Sequence, residues 1–73
     1  MINSTYELLK ALRTLNPQVD IYDDEFDDIP VIDGCSEPLS TLVLPDGFYL
    51  NRQRRTIENR YGDVYIFIYK GPI

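Results

Sequence analysis

The sequence predicts an α+β fold: one N-terminal helix packed on a small, mainly antiparallel sheet of about four to five strands. Three observations carry that expectation. A leucine stripe at helical spacing opens the chain, and short β-branched and aromatic runs between Gly and Pro turns fill the rest. The third is Val64-Tyr65-Ile66-Phe67-Ile68-Tyr69, opened by Gly62-Asp63 and closed by Lys70-Gly71-Pro72. Alternation puts Val64, Ile66 and Ile68 on one face of this strand and Tyr65, Phe67 and Tyr69 on the other. Both faces are apolar, so both ask for cover.

The 73 residues are read as one compact domain, 1–73, with room for a single core. A chain of this size buries only about 60–65% of the surface its unfolded form exposes, and small scaffolds add a disulfide, a metal or an interface. Cys35 is the only cysteine and there is no histidine, which excludes an intramolecular disulfide and a Cys/His zinc site. Oligomerisation or partner binding is the remaining means of support.

Taken in order, Ser4 with Glu7 three residues later has the spacing of a capping box. Leu8, Leu12 and Leu15, flanked by Thr5 and Leu9, form one apolar stripe, and Lys10 and Arg13 fall opposite. Asn16-Pro17 stops the helix, which is expected over about 4–15. Gln18 to Tyr22 alternates as a short strand and leads into an acidic segment, 20–37. Within it, Ile29 to Gly34 reads as an extended piece that Pro30 demotes to an edge strand or a loop. Cys35 to Ser40 is a connector, and Thr41 to Leu44 reads as a third short strand ended by Pro45-Asp46-Gly47. Phe48 to Asn51, Thr56 to Arg60 and the closing aromatic strand complete an antiparallel meander over 41–70, with Arg52 to Arg55 as a turn or bulge.

Charge is segregated along the chain. Net charge is −5, twelve acids against seven bases. Eight of the acids lie between Asp20 and Glu37, with no base among them, whereas Arg52, Arg54, Arg55, Arg60 and Lys70 come late. That balance argues against direct binding to duplex nucleic acid, which needs clustered Lys and Arg. No apolar run approaches the length of about 18 residues that a membrane span needs, and the N-terminus lacks the pattern of a signal peptide. The expected location is the cytoplasm, the host's if a virus encodes the chain.

The chemistry-bearing residues are few. Without histidine no Ser-His or Cys-His nucleophile pair exists, and the four glycines sit at turns rather than in a phosphate loop, so no enzyme activity and no cofactor are expected. Asp23, Glu25 and Asp27 occupy positions 1, 3 and 5 of a calcium loop, but Asp28 and Gly34 stand where Gly and Glu are needed, so no metal is expected. Cys35, between Asp33 and Glu37, lacks the basic surroundings of a reactive thiol and reads as a small hydrophobe.

Three interaction surfaces remain. The first is an acidic face of Asp20, Tyr22, Asp23, Asp24, Glu25, Phe26, Asp27, Asp28 and Asp33. Carboxylates along one edge imitate nucleic-acid phosphates, and Tyr22 and Phe26 supply apolar anchors for docking on a basic surface. The bland alternative is a solvated loop that maintains solubility. The second surface is the aromatic face, Tyr65, Phe67 and Tyr69, read as uncovered and available for self-association, because the single helix is expected to cover Val64, Ile66 and Ile68. The third is a stacking platform for single-stranded nucleic acid, built from Tyr49, Tyr61, Tyr65, Phe67 and Tyr69 with the late arginines. The leading expectation is a small non-enzymatic inhibitor or regulator that binds a nucleic-acid-handling protein. It is similar in kind, in size and charge only, to the small acidic inhibitors that viruses and mobile elements encode. A self-associating assembly protein, with a homodimer as its simplest form, comes second.

Overall fold

A computed structural model describes residues 4–23 and 28–72. Helix α1 spans Ser4–Arg13, and five strands follow: β1 Asp20–Asp23, β2 Pro30–Cys35, β3 Phe48–Asn51, β4 Thr56–Asn59 and β5 Val64–Tyr69. They form one sheet in the order β1-β2-β5-β4-β3. Three of its pairings are antiparallel and β2–β5 is parallel. The α+β class and the strand number agree with the sequence expectation.

The helix is short because its tail is drawn into the fold. Leu8 and Leu12, four residues apart, point down together and are buried. Leu15 was expected to extend this stripe to the helix end. It lies beyond Arg13, where the helix has ended ahead of Pro17, and is exposed. Asn16 turns inward, its Oδ1 accepting the backbone N–H groups of Ser36 at 3.1 Å and Glu37 at 3.0 Å. The end of the helix is thereby tied to the end of β2. Nearby, Gln18 Nε2 donates to the carbonyl of Gly34 at 2.6 Å.

The segment containing Pro30 is no edge or loop. β2 lies between β1 and β5, and it tolerates the proline because Pro30 is its first residue. Gly34 adopts φ +93°, and an added Cβ would lie 2.8 Å from the Gln18 carbonyl oxygen. That glycine sits where the β2–β5 register shifts, between Ile32 and Cys35.

The strand expected at Thr41 to Leu44 does not form either. A 3-10 turn over Leu39–Thr41 and an irregular stretch replace it. Leu39, Leu42 and Leu44 pack against the core from this connection, so their hydrophobicity reports burial rather than strand pairing. Beyond it, Arg52 to Arg55 form the turn between β3 and β4, with Arg55 at φ 57°.

Register assigns the two faces of the sheet. Ile32 pairs with Phe67 and with Ile21, and Ile57 pairs with Tyr65 and with Leu50. These residues meet Leu8, Leu12, Val19 and Cys35 in one core cluster under α1. The opposite face carries Tyr22, Val31, Ile66, Thr56 and Asn51 in one row across the five strands. Val64 and Ile68 share that face by alternation.

The helix therefore covers the aromatic face, not the aliphatic one. Tyr65 is 3% exposed and Phe67 6%, whereas Ile68 is 38% exposed. The rings are held from several directions. Tyr65 shares a hydrogen bond of 2.8 Å between its hydroxyl and Thr5 Oγ1 and packs against Phe48, while Phe67 stacks on Tyr69 with centroids 6.0 Å apart.

Candidate functional site

Four of the described acidic residues, Asp20, Asp23, Asp28 and Asp33, lie on or just before β1 and β2, at one side of the sheet. β1 is an edge strand, and its pairing with β2 sets Asp20 opposite Asp33 and Asp23 opposite Pro30. Asp20, Asp23 and Asp28 are exposed, and Tyr22 stands 46% exposed between the first two. Asp24, Glu25, Phe26 and Asp27, the other expected members of this face, lie outside the described residues. Asp33 differs from its neighbours. It is half-buried and pairs with Lys70 Nζ at 3.3 Å, and its Oδ1 also accepts the Gly34 N–H. Asp20 approaches Arg13 at 3.7 Å with both side chains largely solvated, a contact that contributes little to stability.

Asp20 also has a local role that the sequence did not suggest. Its carboxylate accepts the backbone N–H of Ile21 at 3.0 Å. A donor of the edge strand is occupied by a carboxylate of the same strand, and the charge discourages pairing with another chain's edge.

Four exposed arginines lie toward the opposite edge, together with Asp46, Glu58 and Asp63. Arg52, Arg54 and Arg55 are exposed in the turn that joins β3 to β4, and Arg60 is exposed beyond the other end of β4, its guanidinium 5.6 Å above the Tyr61 ring. Between them Glu58 is held on the outer face. It accepts hydrogen bonds from Thr56 Oγ1 at 2.7 Å, Asn51 Nδ2 at 3.1 Å and Tyr49 Oη at 3.3 Å. The Thr56 bond is the main cause holding the Glu58 carboxyl below its ordinary value; desolvation, the next in size, opposes it, and Asn51, Tyr49 and the Arg54 charge add lesser lowering contributions.

The aromatic surfaces expected from sequence are rearranged. Tyr65 and Phe67 lie beneath α1 and Tyr69 is half-buried, so these three residues offer no open self-association face. The same burial removes them from a stacking platform. Tyr49 and Tyr61 remain exposed. Cys35 is buried, and desolvation, with a lesser contribution from Glu37, raises its pKa. Among the described residues no three His, Cys, Asp or Glu side chains gather in a metal-binding arrangement, and no helix is long and apolar enough to cross a membrane.

Two asparagines carry more of the structure than their sequence contexts suggest. Asn16 has been described above. Asn59, also buried, accepts the N–H groups of Tyr61 at 2.9 Å and Asp63 at 3.0 Å and donates to Asp63 Oδ2, closing the β4–β5 turn. The available signal was position, since each lies where a regular element ends and backbone donors need an acceptor. A shallow groove of about 300 Å³ runs along the solvent side of α1, between Tyr6, Leu9, Lys10, Arg13 and Thr14. Comparison of the chain with protein-family models, with curated proteins and with solved structures finds no match in any of the three.

Proposed function

We propose that the protein is a non-enzymatic binding module whose acidic β1–β2 edge engages a basic protein surface, acting as an inhibitor or regulator of a nucleic-acid-handling protein. The observation that supports this reading is the edge itself. Asp20, Asp23 and Asp28 are exposed beside the half-exposed Tyr22, and Arg52, Arg54 and Arg55 are exposed in the turn at the far side of the sheet, with Arg13 alone among the arginines beside Asp20. Fixed carboxylates with an aromatic among them combine long-range attraction for a basic groove with a contact that excludes water once docked. The sheet holds the backbone of Asp20 and Asp23 in place, so less order has to be imposed on binding than for a free acidic tail. The reading places the protein in the cytoplasm, where a buried free thiol such as Cys35 is an ordinary state.

The test is capture of partners from the native host on immobilised protein, with elution by duplex DNA and identification by mass spectrometry. A mimic of nucleic acid is expected to retain a basic nucleic-acid-binding protein that DNA displaces. Replacement of Asp20, Asp23 and Asp28 by Lys should abolish retention with an unchanged circular dichroism spectrum. Retention that survives both the DNA and the charge reversal would show that the acidic edge is not the binding surface.

A further inference from the structure

We draw no further inference here: the strongest candidate, the outer sheet face around Ile66 and Ile68 that α1 and the 36–47 connection leave open, carries nothing because nothing in the structure shows what covers it.

Discussion

The two faces of the same strand have opposite fates. On β5, Tyr65 and Phe67 turn under the helix and are buried, while Val64, Ile66 and Ile68 turn outward and stay partly open. Both sets are apolar, so hydrophobicity alone does not choose between them. Filling does. The helix has ten residues and presents two buried leucines, and a helix of about 10 Å diameter cannot cover a five-stranded sheet. Large rings fill the space between so small a cover and the sheet more completely than β-branched side chains. Tyr65 adds a hydroxyl that meets Thr5 on the helix, which an aliphatic side chain cannot offer. In a chain this small, the face with the larger side chains becomes the core.

That contrast can be broken most sharply by truncation on each face. Phe67→Ala should destabilise the fold by about 3–5 kcal/mol, a large share of the roughly 4–11 kcal/mol expected for a chain of this length. Ile68→Ala, one residue away on the other face, should cost less than about 1 kcal/mol in dilute solution. Urea denaturation midpoints measure both, and equal losses would mean that the outer face is covered as well as the inner one.

Next in size is the strap that holds the helix over the aromatic face. Asn16→Ala strands the Ser36 and Glu37 N–H groups next to a buried position and should cost about 2–3 kcal/mol. Hydrogen exchange at those two amides should rise in step. A loss below about 0.5 kcal/mol would show that water replaces the carboxamide. Smaller again is Tyr65→Phe, which removes the hydroxyl shared with Thr5 and should cost about 1 kcal/mol without altering the denaturant dependence.

The smallest effect belongs to the outer face and depends on pH. The Glu58 carboxyl has a folded-state pKa below its unfolded value, so the folded state prefers it ionised. Its contribution to stability is present above the unfolded pKa and is lost as pH falls through the folded one. Stability of the wild type should therefore decline on the acid side more steeply than that of Glu58→Gln, with no such difference in slope near neutrality. Parallel acid limbs in the two proteins would remove Glu58 from the account.

The legibility of the candidate site followed the same logic as the core. The acidic residues could be read as a group because seven of them fall within the 14 residues from Asp20 to Asp33, and proximity along the chain favours proximity in space. Their opposition to the arginines across the sheet could not be read, because it follows from the parallel insertion of β5 between β2 and β4. Asp33 looked equivalent to its neighbours but is drawn into a pair with Lys70, 37 residues away in sequence, where the two strand ends meet. The aromatic face is buried for the packing reason already given.

What the sequence determined by itself is local. The N-terminal helix, the break ahead of Asn16-Pro17, the β3, β4 and β5 strands and the turns between them all follow from propensity, periodicity and turn chemistry within a few residues. The tertiary structure alone decided which side of β5 is core and that Pro30 could enter an interior strand. It also decided that Leu42 and Leu44 anchor a loop, and that the Arg52 to Arg55 turn lies across the sheet from Asp20 and Asp23. Each of these depends on contacts between residues far apart in sequence, where the volume to be filled and the donors to be satisfied are properties of the assembled sheet rather than of any one segment.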